Sequence, residues 1–244
     1  MLPNVPPGRL RQYPKRCTQL MLTYKTILIA LSLLSFVATT LGQQKRAMVP
    51  DTSAYAISTE TVKGKKYVGF LTDRGFFLTD SKKQVIVFQP GDYFTWEFKD
   101  LDGDGREDIF LDLGGNTPER YDLLLGISAE NYRKIEGFDL FPAPIPINGT
   151  KYYYSYHKSG CADMNWGSDL FFLRNFKAVR IGSIAGYQCE DSGIKDGLYI
   201  YKYTGTSKKL QQTLQIQTLK KYKDFKWGFI AEFWTRNWKR FAIP

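Results

Sequence analysis

Short apolar segments separated by turn residues repeat along the chain from about residue 56 onward. Runs of roughly four to eight residues bounded by Gly, Asn, Asp or Ser are typical of β-strands. Helical periodicity is almost absent beyond the first 42 residues, and we expect short helices only at 128–133 and 230–238. The pattern therefore predicts an all-β fold of propeller-like or barrel-like antiparallel sheets. The predicted strands lie at 67–71, 76–78, 84–88, 93–98, 109–114, 121–126, 132–135, 169–173, 176–181, 198–203 and 210–216.

The segment 100–108 has the spacing of a loop that wraps a hard cation. It reads Asp-Leu-Asp-Gly-Asp-Gly-Arg-Glu-Asp, and Gly105 allows the sharp turn that brings its last carboxylate back to the first. Closely spaced carboxylates repel one another unless a cation neutralises them, and Ca²⁺ suits a flexible all-protein oxygen cage better than Mg²⁺. The alternative is a solvated Asp/Gly turn. The spacing predicts one calcium site formed by Asp100, Asp102, Asp104, the carbonyl of Arg106, and Asp108.

The flanks of this loop indicate which kind of calcium loop it is. An EF-hand has a helix on each side and a glutamate at position 12, but position 12 here is Leu111, and both flanks alternate as strands do. A calcium loop between two strands resembles the hairpin of FG-GAP/VCBS repeats, over residues 98–115. The resemblance implies an exported, propeller-related protein with one calcium-binding hairpin. The layout is also weakly similar to propeller-like lysozyme-inhibitor and immunity proteins, which implies inhibition of a cell-wall hydrolase as one function.

The first 42 residues have the composition of an export signal. Five Lys/Arg and no acidic residue accompany an apolar run at 26–38, which is followed by small residues near Gly42. This order predicts a signal peptide at 1–42, and Met21 is an alternative start that would give an ordinary length. We therefore expect an exported protein, periplasmic or extracellular. The alternative is an uncleaved signal anchor that holds the chain to the membrane through residues 26–42.

The rest of the chain is long enough for one domain with a substantial core. We expect a flexible N-terminal tail at 43–55 and a single β-rich domain at 56–244. Proline cannot donate a hydrogen bond to a neighbouring strand. The three prolines within 142–149 therefore predict an edge or crossing segment there, not a central strand.

Cysteine usage is consistent with export. Cys17 lies in the predicted signal peptide, so the exported chain keeps Cys161 and Cys189. Two cysteines outside the cytosol predict one disulfide. The alternative is a pair of buried free thiols.

The positive charge does not indicate a nucleic-acid partner. None of the 24 acidic residues and only five of the 34 Lys/Arg precede residue 43, so the remaining chain carries +5 rather than the overall +10. No nucleic-acid-binding motif accompanies this charge. The segment 220–244 alone has a net charge of +5, and it also contains seven Phe and Trp residues. Such a segment can bind a membrane surface or an acidic polymer, but the favoured alternative is that its aromatics close the edge of the last sheet and its cations lie outside.

The stretch 152–166 is rich in aromatics and contains the only histidine. One interpretation is a ligand-binding face for glycans or peptide segments. A second is catalysis, with His157 as base and Asp163 as its orienting carboxylate. A third is that the strand packs its aromatics into the core. The predicted ligand face consists of Tyr154, Tyr156, His157, Asp163, Asn165 and Trp166.

These observations favour an exported, calcium-stabilised, non-catalytic protein that binds an extracytoplasmic protein or glycan. The alternatives are a secreted or periplasmic hydrolase and an inhibitor of a cell-wall hydrolase. A hydrolase of glycans needs two carboxylates across one cleft, and the acidic residues near the cysteines are its candidates. They are Asp163, Asp169, Glu190 and Asp191. We expect membrane contact only through the N-terminal segment, and only if that segment stays uncleaved.

Overall fold

The computed structural model describes residues 54–115, 118–128, 130–189 and 193–242. The predicted signal peptide and the predicted tail up to residue 53 lie outside these ranges, and residues 54 and 55 belong to the first strand. The described strands are β1 (Ala54–Val62), β2 (Lys65–Thr72), β3 (Gly75–Thr79), β4 (Val85–Pro90), β5 (Thr95–Lys99), β6 (Asp108–Asp112), β7 (Tyr121–Ser128), β8 (Asn131–Lys134), β9 (Ile145–Pro146), β10 (Tyr152–Tyr154), β11 (His157–Lys158), β12 (Trp166–Arg174), β13 (Lys177–Tyr187), β14 (Gly197–Thr204) and β15 (Ser207–Leu214). Within the described ranges there is one α-helix, α1, which spans Lys226–Phe241. Short 3-10 turns lie at Phe138–Leu140, Cys161–Asp163 and Ile216–Lys221.

The strands pair into three antiparallel sheets. The first sheet has the order β1-β2-β3-β4 and the second β5-β6-β7-β8, so both are simple meanders. The third sheet has the order β15-β14-β13-β12-β10-β9, with β11 also paired to β12. The all-β prediction is confirmed. The pairing of the described strands does not show closure into a barrel or a propeller.

Of the two predicted helices, one is wrong and one is too short. Within 128–133, Ser128 ends β7 and Asn131 begins β8, and these two residues pair in the antiparallel ladder between the strands. Pairing with neighbouring strands outweighs the weak local helical pattern there. The helix predicted at 230–238 exists as part of α1, which extends further at both ends.

Successive layers of the fold share hydrophobic cores. In β6, Ile109 and Leu111 pack with the first sheet, whereas Phe110 packs with the third sheet from the opposite face. In β12, Phe171 joins that second core, whereas Leu170 lies in a third core together with residues of α1. Strands buried on both faces are apolar without alternation. The apolar runs in β6 and β12 therefore reflect their position between two layers.

The aromatic face of α1 covers the third sheet. Phe229, Trp234 and Phe241 are buried, and Trp234 Nε1 donates to Ser168 Oγ in β12 at 2.8 Å. Gly182 of β13 permits this close approach, because a Cβ there would lie 2.8 Å from the Phe241 ring. The C-terminal aromatics therefore cover a face of the third sheet rather than closing its edge. No helix in the described ranges is long and apolar enough to cross a membrane.

The proline-containing segment lies at a sheet edge, as predicted. Strand β9 contains Pro146 and, of the strands given above, pairs with β10 alone. Since Pro146 has no N–H to donate to a neighbouring strand, an edge is the position in a sheet where it disrupts the fewest hydrogen bonds.

Candidate functional site

The predicted cation loop joins β5 to β6, so it is a hairpin loop without flanking helices. Leu101 is only 5% exposed and anchors the start of the loop in the core between the second and third sheets. Gly103 and Gly105 adopt positive φ, which lets the backbone turn back on itself. Lys63, in the turn between β1 and β2, donates its Nζ to the Gly105 carbonyl and holds the tip of the loop.

Three carboxylates of this loop converge. Asp100, Asp102 and Asp108 each offer one oxygen, and these oxygens lie within 4.8 Å of one another. The cluster could bind a metal ion. Its donors are all carboxylate oxygens, a set that suits hard cations better than Zn²⁺ or Cu²⁺. The structure thus brings together three of the four predicted acidic ligands.

Asp108 is the most constrained member of the cluster. It is 1% exposed, and its two oxygens accept backbone hydrogen bonds from Leu101 and Gly126, each at 2.9 Å. Burial raises the pKa of Asp108 to about 6, and the charges of Asp102 and Asp100 add to the rise, although the two backbone hydrogen bonds oppose it. Burial also raises the pKa of Asp102, with repulsion from Asp104 and Asp100 as further causes. A cation at this position would favour the ionised forms.

The predicted ligands Asp104 and Arg106 are placed differently. One oxygen of Asp104 accepts from the Arg106 backbone N–H at 2.8 Å, and the other accepts from the Arg106 guanidinium. Asp104 is therefore paired with a neighbouring cation and lies outside the converging group. The Arg106 side chain also donates Nε to the Gly126 carbonyl at 2.9 Å. The role of the Arg106 carbonyl as a ligand stays a prediction.

Cys161 and Cys189 form a disulfide, as predicted. Cys161, Ala162 and Asp163 are three consecutive non-glycine residues with positive φ. For residues other than glycine this conformation is strained, so surrounding contacts must hold it. The disulfide supplies one such contact. Asp163 supplies others, because its carboxylate accepts from the Tyr156 hydroxyl and from Lys226 Nζ.

Most of the predicted ligand face is buried. Trp166 is 1% exposed and belongs to the core beneath α1, together with Tyr154 and Tyr156. Asn165 is also buried, and its Oδ1 accepts from the backbone N–H of Gln188 at 3.1 Å. These residues do not form one exposed surface. Their placement matches the alternative in which the stretch packs its aromatics into the core.

His157 faces a different carboxylate from the one predicted. Its Nε2 lies 3.4 Å from Asp169 Oδ2, whereas Asp163 is engaged by Tyr156 and Lys226. Asp169 is buried and also lies 3.0 Å from Arg180 Nε. Of the other proposed acids, Glu190 and Asp191 fall outside the described residues. Among those described, no hydroxyl or thiol is hydrogen-bonded to His157, so a nucleophile–base pair is not formed there.

Two residues from α1 complete the surroundings of this stretch, and sequence reasoning missed both. The Trp227 ring centroid lies 4.0 Å from that of Tyr156, and Lys226 Nζ lies 2.6 Å from Asp163 Oδ2. Both come from a segment about 60 residues further along the chain. The sequence contains one indication that Trp227 is exposed. It lies outside the stripe of buried aromatics that begins with Phe229 and Phe233 in α1.

No family model matches the chain, and no curated protein matches it. A solved structure to which the chain is similar is described as "Structure of a Xanthomonas Type IV Secretion System related protein". The two are 15% identical with a TM-score of 0.47, and the match covers 66% of this chain and 98% of that chain. At this distance the likeness is too weak to transfer a function.

Proposed function

We propose that this chain is an exported, calcium-stabilised, non-catalytic protein that binds an extracytoplasmic protein or glycan. The observation that carries the proposal is the convergence of Asp100, Asp102 and Asp108 in a hairpin loop anchored by the buried Leu101. Three carboxylates so close together repel one another, and a bound cation would neutralise that repulsion. The propeller-like arrangement predicted from the sequence is part of this proposal, and the meander order of the first two sheets supports it.

Calcium is the cation that this donor set supports best. Asp100, Asp102 and Asp108 would hold it, with the Arg106 carbonyl as a further oxygen. Ca²⁺ accepts six to eight oxygen ligands in flexible geometry, whereas Mg²⁺ demands a near-ideal octahedron and keeps several waters. When bound, the ion would neutralise the loop and join its beginning, at Asp100, to β6. It is therefore proposed as a structural element of the hairpin.

Export is supported by the disulfide. Bonds of this kind persist outside the cytosol and are rare inside it. The pair closes a sequence separation of 28 residues around the strained segment at Cys161–Asp163. An oxidising compartment would keep that segment, and the contacts of Asp163, in place.

A non-catalytic role is supported by the environment of His157. The carboxylate beside it, Asp169, is shared with Arg180, and the hydroxyl of the neighbouring Ser168 is occupied by Ser155 and Trp234. These groups hold β11, β12, β13 and α1 together. Their chemistry is that of a structural network more than of an acid–base pair.

Ligand capture by the full, disulfide-bonded protein tests the proposed function. We expect the wild-type protein in calcium to retain a specific extracytoplasmic protein or glycan, and His157→Ala to retain it equally well. A melting curve for each variant confirms that it is folded. Hydrolysis of an envelope component that is abolished by His157→Ala in a folded protein would contradict the proposal and favour the hydrolase.

A further inference from the structure

A cavity of about 330 Å³ opens between the edge of the third sheet and the start of α1. Its lining includes Ile145, Tyr154, Ser155, Tyr156, Asp224 and Trp227. We infer that this cavity binds a saccharide ring, which rests on the proposed binding function and names its ligand class and location. The volume falls near the lower end of ligand pockets, which span roughly 300–1,000 Å³. It suits a mono- or disaccharide unit rather than an extended protein surface.

An exposed aromatic ring forms one wall of the cavity. Trp227 is 49% exposed, although its ring centroid lies 4.0 Å from that of the buried Tyr156. By contrast, Trp166 and Trp234 belong to the core and are fully buried. An accessible indole face beside a concave pocket offers a flat apolar surface on which the C–H face of a sugar ring can stack.

Lys226 and Asp163 hold the aromatic wall in place. Lys226 Nζ lies 5.2 Å from the Tyr156 ring centroid and 5.3 Å from that of Trp227, and it donates to Asp163 Oδ2 at 2.6 Å. Asp163 also accepts from the Tyr156 hydroxyl, and it follows Cys161 in the segment closed by the disulfide. A wall fixed by several independent contacts loses little conformational entropy when a ligand binds.

Polar groups with unused hydrogen-bonding capacity accompany this wall. The Ser155 hydroxyl is completely buried and has no hydrogen-bond partner among the described residues. Asp224 is exposed, and no ion pair of its carboxylate occurs within the described part of the chain. Sugars pair an apolar ring face with hydroxyls that both donate and accept. An aromatic plane with a hydroxyl and a carboxylate nearby matches that chemistry.

Two other ligand classes fit the cavity less well. A peptide that extends the sheet would add to β9, but Pro144 and Pro146 have no N–H to donate at this edge. An anionic ligand would need an available cation, yet the Lys226 ammonium is already neutralised by Asp163. Asp224 adds a negative charge to the lining, which further disfavours an anion.

Titration calorimetry of the full, calcium-loaded protein with cellobiose, maltose and N,N′-diacetylchitobiose tests the inference. We expect at least one of these to bind with a dissociation constant on the order of 1 mM or tighter. Trp227→Ala should weaken that binding by about tenfold or more, because tryptophan dominates contact sites of this kind. Asp224→Asn should weaken it less. Phe94→Ala is the matched control, since Phe94 is 79% exposed and does not line the cavity.

Each result distinguishes this inference from the proposed function. Binding that is lost in a folded Trp227→Ala protein and kept in Phe94→Ala supports the saccharide site. Failure of all three sugars to bind, or equal binding by both variants, overturns it. If sugars fail while the wild-type protein still captures an envelope protein, the proposed binding function stands without the saccharide site. If neither a sugar nor an envelope component is retained, both are wrong.

Discussion

The stabilisation by calcium should depend on pH through Asp108. Its carboxyl is buried beside Asp100 and Asp102, and its pKa rises from 3.8 to about 6 in the metal-free protein. The folded state therefore keeps a proton there that the unfolded chain has already released between about pH 4 and pH 6. Because the pKa of Asp108 is raised in the folded state, the bound proton stabilises the fold. This stabilisation is fully present below about pH 4 and is lost as pH rises through about 6.

The size of the effect follows from that difference. Each tenfold change in proton affinity is worth about 1.4 kcal/mol, so the rise in the pKa of Asp108 is worth about 3 kcal/mol in full, of which the metal-free protein loses about 2.5 kcal/mol between pH 4 and pH 7. Bound calcium reverses the effect, because it holds Asp108 as a carboxylate. We expect saturating calcium to add about 2–4 kcal/mol at neutral pH, and progressively less as protons compete below about pH 6.

Denaturant unfolding at about pH 4.5 and pH 7.5, each in chelator and in excess calcium, measures these free energies. Asp108→Asn isolates the group, because it is neutral at both pH values. The amide faces the Leu101 and Gly126 N–H groups, a pairing that destabilises the variant equally at both pH values. Relative to wild type, the variant in chelator should therefore become more stable by about 2 kcal/mol as pH rises from about 4.5 to about 7.5. Equal pH slopes for the two proteins, or calcium stabilisation independent of pH, would mean that Asp108 is not the group that links calcium binding to pH.

Three further predictions concern other parts of the fold. Replacing Cys161 and Cys189 by serine should lower the free energy of unfolding by about 3–4 kcal/mol, measured by denaturant titration under oxidising conditions; no loss would mean that the bond does not constrain the chain. Trp234→Phe keeps an aromatic ring but leaves Ser168 without its donor, so urea unfolding should show a loss of about 1–3 kcal/mol, and an unchanged midpoint would contradict the packing of α1. His157→Ala should leave ligand capture intact, and loss of capture by a folded variant would assign His157 to the binding site.

The strand pattern of the sequence was sufficient for the fold class but not for the sheet arrangement. Alternation and turn residues locate β2, β7 and β14 within a few residues, because these signals are local. Whether the sheets close into a barrel or a propeller depends on which sheets pack against each other. That information lies in long-range packing, such as Ile109 and Phe110 of one strand facing different neighbours.

The candidate metal loop was predictable, and the surroundings of residues 152–166 were not. Loop ligands are close in sequence, so spacing alone brings Asp100, Asp102 and Asp108 together. Spacing could not show that Asp104 would pair with its neighbour Arg106 instead. The contacts of Tyr156 depend on α1, whose position on the sheet no local pattern specifies.

Calorimetric titration of Ca²⁺ into chelator-treated, folded protein measures directly whether this hairpin binds calcium. We expect one Ca²⁺ per chain for the wild type and for Glu107→Gln, a change in the same loop outside the cluster. Asp108→Asn should bind at least about tenfold more weakly, because it removes one of three charged ligands. No binding heat with the wild type together with an unchanged melting temperature, or equal affinity in Asp108→Asn, would contradict the claim that this hairpin is a calcium site.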